Sequence, residues 1–600
     1  MAKKRKVKTG RDSAARTPGA GTGTVETAAG VLAILVSLAA VGVTVWRAFY
    51  GADFIDESFY AVVSYRFAMG ARPFIDQTDP HQLASLLMAP FVKLHLLAFG
   101  DTTGILLSLR MAWLAMNAGA SALWFVLLSR TIPRRLALLA SATTFSFIPY
   151  MIPAPSFNTL PVLFGSAALA LVGLGLGAEP PARRWLFVGS GALFGLAAFT
   201  YPTIAIAAVL ALAGVAWLTR SWKEPALVAA GGFGVASVGA LALMPFVSGV
   251  PQVLALSNAL APVYGWGGAG ASSGKAWYLI GNAGTLATMH YSLYVAAAVG
   301  IATMVFRKVP WWLLVTLAVS LPLAQPPIIE ALDVRTLLVA TSVLMAAFLS
   351  IFPTREPLST LDTNDRFLRF ACVYALVSGA VFAFTSSQGD VFLGLGAVSA
   401  MPAVLSLLYT ALANGLATAP KPTLAPLATI AAAAVLTLTM ASYNATGTYR
   451  DLPPAYLTTR VKTGPHAGLI TTSGNAAATE SLWATMRTAS GPQDRVLSYQ
   501  GFPAGYLYTS ATPSLPFLWQ QPYDAMGAPS VVTDDLRLLA DPAHRPTVII
   551  RNLGLPGEMV FVTQNPSRYD PKADRVEAFV QENYRVSARG PLWEVLVPKK

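Results

Sequence analysis

Apolar runs of about 17–25 residues recur along the first three quarters of the chain, separated by short polar segments. Each run is long enough to cross the hydrocarbon core of a bilayer as a helix, and walking the chain gives about thirteen. The first lies near Val25–Tyr50 and the next near Thr103–Ser129. A pair follows at Arg135–Ile152 and Ser156–Leu176, turning at Ile152-Pro153-Ala154-Pro155-Ser156. Proline and polar residues interrupt the runs at Ala197–Ala208 and Leu321–Leu337, which gives the count a margin of about two. The last run lies near Leu424–Tyr443. Beyond it the pattern changes to short apolar runs, charges and prolines, which predicts a soluble α/β unit over 444–600. Strands are predicted at Arg495–Tyr499 and Thr547–Arg551, helices at Asn475–Ala489 and Pro571–Tyr584, and a closing hairpin at Arg585–Ala588 with Leu592–Val597. This unit carries no phosphate loop, metal-ligand spacing or catalytic triad. His466 and His544 read as surface residues, and the unit as a lid or acceptor-docking domain.

Composition agrees with a polytopic membrane protein. Of 600 residues 54% are hydrophobic and only 12% charged, with a mean hydropathy of +0.54, too apolar for a soluble multidomain chain. The single cysteine, Cys372, excludes a disulfide framework. Charge then orients the spans. Every second loop is basic, at Arg130, Arg134 and Arg135, at Arg183-Arg184, at Arg220 and Lys223, at Arg307-Lys308, at Arg355, Arg366 and Arg369, and at Lys421. The positive-inside rule puts those loops and the tail Lys3-Lys4-Arg5-Lys6-Val7-Lys8 in the cytoplasm and the C-terminal domain outside. The net charge of +13 is thereby accounted for without a nucleic-acid partner. The expected division is a basic tail over 1–24, a membrane domain over 25–443 and an extracytoplasmic domain over 444–600. Richness in Ala, Gly, Val and Arg fits a bacterial inner (plasma) membrane of a high-GC organism.

Candidate chemistry concentrates in the first outer loop, 51–102. Phe54, Phe59, Val62-Val63 and Phe67, then Leu83, Leu86-Leu87, Phe91 and Leu94, recur at helical spacing and predict two amphipathic helices along the membrane surface. Between them runs the segment Gly70–Gln82, carrying Arg72, Asp76, Asp79 and His81. Asp53 lies three residues before Asp56 and four before Glu57, so the three acids share a face if the helix runs that far. Like charges held together raise one another's pKa, a state that a general base exploits. The structural alternative is that Asp53 or Asp56 caps the following helix.

These residues carry a resemblance. A first span, the acidic pair Asp56-Glu57 with a following aromatic, then Phe74-Ile75-Asp76 and Asp79-Pro80-His81, resembles the protein O-mannosyltransferases and their bacterial relatives in the GT-C glycosyltransferase superfamily. That family has a His-Pro-Pro where this chain has Pro80 before His81, with Asp79 as an extra acid. The resemblance implies a GT-C-like fold and an inverting glycosyltransferase. It would move a sugar from a polyprenyl-phosphate-linked donor to a glycan, lipid or protein acceptor in the cell envelope. It implies Asp56 as base with Glu57 in support, and Asp53, Asp76, Asp79 and His81 as acceptor- or sugar-binding residues.

A departing polyprenyl phosphate needs positive charge at the same depth. Arg110, about two turns into the second span, is a candidate because an unpaired cation is costly there. Arg335 and Lys275, on predicted outer segments, are the others. No cofactor is expected to be required, although the acids supply oxygens enough for Mg²⁺ or Ca²⁺. Two rival classes are a transporter or flippase of a lipid-linked saccharide and a non-catalytic membrane scaffold for envelope assembly. A transporter places its ionisable groups near the bilayer midplane, whereas these acids gather at one surface.

Overall fold

A computed structural model describes residues 20–264, 361–385, 395–396, 398–417, 425–521, 523–526, 528–554 and 574–599. Among them seven helical stretches are long and apolar enough to cross a membrane: Val25–Arg47, Gln82–Phe99, Ile105–Leu128, Pro202–Thr219, Lys223–Ala261, Thr363–Thr385 and Pro426–Thr446. The expected count of about thirteen is not met within the described residues. The predicted spans over 265–360 lie outside them. Leu160–Leu176 and Met401–Thr410 are apolar but shorter than a span. The helix predicted over Arg135–Ile152 forms only over Arg134–Phe145, because Pro149, Pro153 and Pro155 cannot continue it.

In chain order the bundle comprises α1 (Ala20–Arg47), α2 (Asp56–Ala68), α3 (Gln82–Phe99), α4 (Ile105–Leu128), α5 (Arg134–Phe145), α6 (Leu160–Leu176), α7 (Ala182–Thr200), α8 (Ala205–Thr219), α9 (Lys223–Leu243), α10 (Val250–Tyr264), α11 (Thr363–Thr385), α12 (Met401–Ala417) and α13 (Ala425–Thr446). Between apolar helices in lipid, close backbone approach and hydrogen bonds replace the hydrophobic drive. α7 and α9 meet through Gly191 and Gly231, where an added Cβ would stand 1.8 Å from the Val228 carbonyl oxygen and 2.1 Å from that of Val188. α1, α5 and α13 are joined by polar side chains. Asn444 Nδ2 donates to the Ser146 carbonyl at 2.8 Å and to Thr44 Oγ1 at 3.2 Å, and Thr143 and Thr437 share a 2.8 Å bond. Arg135 donates to the Glu26 carbonyl, so the basic α4–α5 loop lies at the start of α1, the end of that helix away from Asp56.

The C-terminal residues build a five-stranded sheet in the order β4-β3-β5-β7-β6. β3 (Arg495–Tyr499) runs parallel to β4 (Thr512–Pro513) and β5 (Val548–Asn552). β7 (Trp593–Pro598) is antiparallel to β5 and to β6 (Tyr584–Arg589). Helices α14 (Ser473–Ala489), α15 (Pro529–Ala540) and α16 (Arg575–Asn583) accompany it. A small hairpin of β1 (Thr459–Arg460) and β2 (Ile470–Thr471) precedes it. This hairpin joins sheet to bundle: Tyr50 bridges Ile470, Gly51 N donates to the Ile470 carbonyl at 2.9 Å, and Ile470 N donates to that of Phe49 at 2.7 Å.

The loop helices differ from expectation. α2 does not lie on a membrane surface. It is buried on nearly every side, packed against α3 and the 3-10 turn Pro503–Tyr508 of the C-terminal unit. Its apolar residues run round the whole circumference, Phe59 through Val63 in succession with Tyr65 and Phe67, and such a helix seeks cover on all faces. α3 is one-sided: Ala84, Met88 and Val92 are buried, while Phe91, Leu94, Leu97 and Phe99 are exposed.

Candidate active site

The acidic residues gather where α1 ends and the β1–β2 hairpin begins. Asp53 Oδ1 accepts from Ile55 N at 2.8 Å and Oδ2 from Glu57 N at 2.7 Å. It therefore caps the first turn of α2, satisfying amides that the helix leaves without partners. Burial, then the charge of Asp56, raises the Asp53 carboxyl above the ordinary carboxylate range.

Asp56 and Glu57 are consecutive, yet their environments differ completely. Glu57 turns inward. Its Oε1 and Oε2 accept from Arg110 Nε and Nη2, each at 2.6 Å. Arg110 spends its other N–H groups on the chain just behind, Nη1 on the carbonyls of Ala48 (2.8 Å) and Tyr50 (3.0 Å), Nη2 on that of Gly51 (2.8 Å). All five guanidinium donors are thus engaged. Arg110, expected as a phosphate ligand, thus ties the second turn of α4 to the 48–51 turn and to Glu57. Arg47 supports the same turn, donating to the carbonyls of Gly447 (2.7 Å), Tyr50 (2.5 Å) and Met151 (3.3 Å).

Asp56 faces the seam between bundle and sheet, its side chain 12% exposed. Oδ2 accepts from the Tyr449 hydroxyl and pairs with Arg450 Nε at 2.9 Å. Among the described residues Oδ1 accepts no hydrogen bond. Tyr449 and Arg450 follow α13 directly, and Asp451 anchors them by accepting from Ala52 N at 2.9 Å, Thr471 Oγ1 at 2.7 Å and Leu452 N at 2.8 Å.

The second half of the loop divides. Asp76 is tied to Arg72, accepting from its N (2.8 Å), Nε (3.0 Å) and Nη2 (2.8 Å) at an exposed position, and these bonds hold its carboxyl below the usual range. Asp79 is buried, which pushes its carboxyl up to about 7 although His81 N donates to Oδ1 at 2.6 Å. The His81 ring stacks on Phe157 at 4.1 Å. Phe157 also meets Tyr60 edge-on at 5.5 Å and lies parallel to Tyr201 at 6.0 Å. Burial raises the Tyr60 phenol, and the charges of Asp56, Tyr449 and Asp79 add to it, so both acids act on one hydroxyl. Lys275 and Arg335 lie outside the described residues.

No group of three or more His, Cys, Asp and Glu able to hold a metal ion occurs among the described residues. The acids are spent separately, Asp53 on a helix cap, Glu57 on Arg110 and Asp76 on Arg72. Tyr449, Arg450, Asp451 and Arg47 were not singled out from the sequence. Their signal was the Tyr-Arg-Asp triplet directly beyond the last span. His466, expected at the surface, is fully buried. It sits between Phe54, 4.7 Å away, and the Tyr508 hydroxyl, 2.9 Å from its Nδ1, because the domain packs down on the acidic loop.

No family model matches the chain, and no curated protein does. Among solved structures it is similar to the crystal structure of ArnT from Cupriavidus metallidurans in the apo state, at 14% identity and a TM-score of 0.38, over 96% of this chain and 98% of that one. A likeness that loose assigns no residue a role.

Proposed function

We propose that the chain is a multi-span membrane glycosyltransferase of the GT-C type, with Asp56 as general base. The observation that carries the reading is the state of Asp56: its side chain 12% exposed at the seam, with Oδ2 bonded by the Tyr449 hydroxyl and paired with Arg450, and Oδ1 accepting no hydrogen bond among the described residues. In the proposed reaction an acceptor hydroxyl gives its proton to Oδ1 as its oxygen attacks the anomeric carbon of a polyprenyl-phosphate-linked sugar. The new C–O bond forms on the opposite face as the bond to the phosphate oxygen breaks. The configuration inverts, and polyprenyl phosphate leaves with the bonding electrons.

Asp79, whose charge reaches the Tyr60 hydroxyl, and His81, which stacks on Phe157 beside the Tyr60 ring, are the proposed acceptor- or sugar-binding residues, by carboxylate hydrogen bonding and aromatic contact. Lys275 and Arg335 remain the proposed cations for the phosphate. Glu57 and Arg110 act by shaping the loop that presents Asp56. No step needs a metal ion.

The test is Asp56→Asn in the full-length protein, assayed for release of polyprenyl phosphate from a panel of polyprenyl-phosphate pentoses and hexoses in membranes. Transfer should fall by 10²-fold or more, with the thermal transition intact. If the variant still transfers sugar at a near wild-type rate, Asp56 is not the base.

A further inference from the structure

We propose that Tyr449 and Arg450 are positioning residues for Asp56: they hold its Oδ2 so that Oδ1 alone is presented to the acceptor, from a segment whose place is set by the C-terminal sheet. The inference rests on the reading of Asp56 as base.

Three observations carry it. Both donors converge on one oxygen, the Tyr449 hydroxyl and Arg450 Nε at 2.9 Å. A carboxylate oxygen held by a hydroxyl hydrogen bond and by an ion pair keeps its place, and the second oxygen keeps a fixed direction. Next, Arg450 adopts a left-handed backbone (φ 53°), which side-chain-bearing residues seldom take unless their surroundings enforce it. The enforcement is visible: Arg450 lies over the Tyr449 ring at 5.2 Å, and Asp451 is bonded to Ala52, to Thr471 of β2 and to Leu452. Third, the charges around Asp56 among the described residues leave this role to Arg450. On its own helix and the turn before it stand Asp53 and Glu57. Tyr60 carries the influence of Asp79, and the facing segment brings Tyr449, Arg450 and Asp451. Arg110 is consumed by Glu57 and three carbonyls, and Arg47 bonds carbonyls only. Among the described residues Arg450 is the cation in contact with Asp56, and its side chain is 27% exposed.

An opposite charge at this distance keeps a carboxylate ionised, and its removal beside other acids favours the protonated form. The test uses the full-length protein in nanodiscs. Asp56 is labelled with a water-soluble carbodiimide, which reacts with the protonated acid, and peptide mass spectrometry reads labelling against pH in wild type, Tyr449→Phe, Arg450→Gln and Arg450→Lys. Arg450→Gln should move the labelling midpoint upward by about one unit or more, a tenfold change in proton affinity. Tyr449→Phe should move it the same way by less, and Arg450→Lys should restore much of the wild-type value. The acid limb of transfer, measured on the same donor panel, should shift in parallel. Folded Arg450→Gln and Tyr449→Phe proteins with unmoved midpoints and an unmoved acid limb overturn the positioning role, even where Asp56→Asn abolishes transfer. Transfer surviving in Asp56→Asn overturns the base assignment itself and the positioning role with it.

Discussion

Glu57 and Arg110, 53 positions apart in sequence, form a two-bond ion pair closed to solvent, with side chains 2% and 3% exposed. Removing one partner of such a pair leaves an uncompensated buried charge, which costs about 3–5 kcal/mol. Glu57→Ala should therefore lower stability by about that amount. Arg110→Lys should be nearly as damaging, since an ammonium cannot reproduce the two-pronged bond to Glu57 together with three carbonyl bonds. Thermal unfolding in detergent measures both. A Glu57→Ala protein within 0.5 kcal/mol of wild type, a typical surface-substitution effect, would contradict this role.

Asp79 and His81 predict opposite pH dependences from one loop. Burial raises the Asp79 carboxyl from 3.8 to about 7. Between those values the folded protein keeps a proton that the unfolded chain releases, so the contribution of Asp79 is full in acid and is lost as pH rises from about 4 to 7. Burial lowers His81 from 6.5 to about 4. There the unfolded chain takes up the proton first, and stability is lost as pH falls from 6.5 towards 4. The two slopes oppose each other in the wild type. Asp79→Asn should uncover the His81 loss on acidification, and His81→Gln the Asp79 loss on alkalinisation. Each is on the order of 3–4 kcal/mol at full extent. Asp53, whose carboxyl is also raised, tilts both variants alike, so the difference between them is the readout. Identical unfolding temperatures against pH in the two variants would refute the assignment.

Elements whose cause is local were legible in the sequence, and contacts between distant segments were not. β3 spans Arg495–Tyr499 as the short apolar run predicts, and β6 and β7 pair around Gly590-Pro591. The helix predicted over Asn475–Ala489 begins two residues earlier, at Ser473, where the Thr472 hydroxyl accepts from Asn475 N. The acidic cluster was visible because Asp53, Asp56 and Glu57 are close in sequence. Their separate duties were not, because Asp53 is assigned by a helix start, Glu57 by Arg110 and Asp56 by Tyr449. That last partner is 393 positions away, brought there by the pairing of Tyr50 with Ile470. Likewise α2 resembled a surface helix until the Pro503–Tyr508 turn covered its second side.

The contact between α7 and α9 should tolerate no side chain at its centre. A Cβ at Gly191 would stand 1.8 Å from the Val228 carbonyl oxygen, and one at Gly231 would stand 2.1 Å from that of Val188. Both obstacles are backbone and cannot rotate away. Gly191→Ala and Gly231→Ala should each force the helices apart and cost about 1–3 kcal/mol, as overpacking does. By contrast Gly234→Ala, with nothing within 4 Å of the added carbon, should gain up to about 1 kcal/mol from helix propensity. Unfolding temperatures of the three variants decide the matter. Equal effects at Gly191 and Gly234 would mean that the close approach is absent.

Asp451 should control whether the C-terminal sheet and the acidic loop move as one. Its carboxylate accepts from Ala52 N and Thr471 Oγ1 through one oxygen and from Leu452 N through the other, linking the turn before α2, the β2 strand and the Tyr449–Arg450 segment. Asp451→Ala leaves Ala52 N without its acceptor, at a cost of about 1–3 kcal/mol. The loss is local, because the bonds of Gly51 and Ile470 across the same seam remain. Amide hydrogen exchange should therefore rise at Ala52 and through residues 448–452, while β3 and β5 in the sheet centre stay protected. On the proposed function, transfer should fall through a lower kcat, since Asp56 would lose its fixed plane, and Asp451→Asn should recover part of it because the amide oxygen can still accept from Ala52 N and Thr471 Oγ1. If exchange rises across the whole sheet instead, Asp451 serves the fold of the domain rather than its junction with the acidic loop.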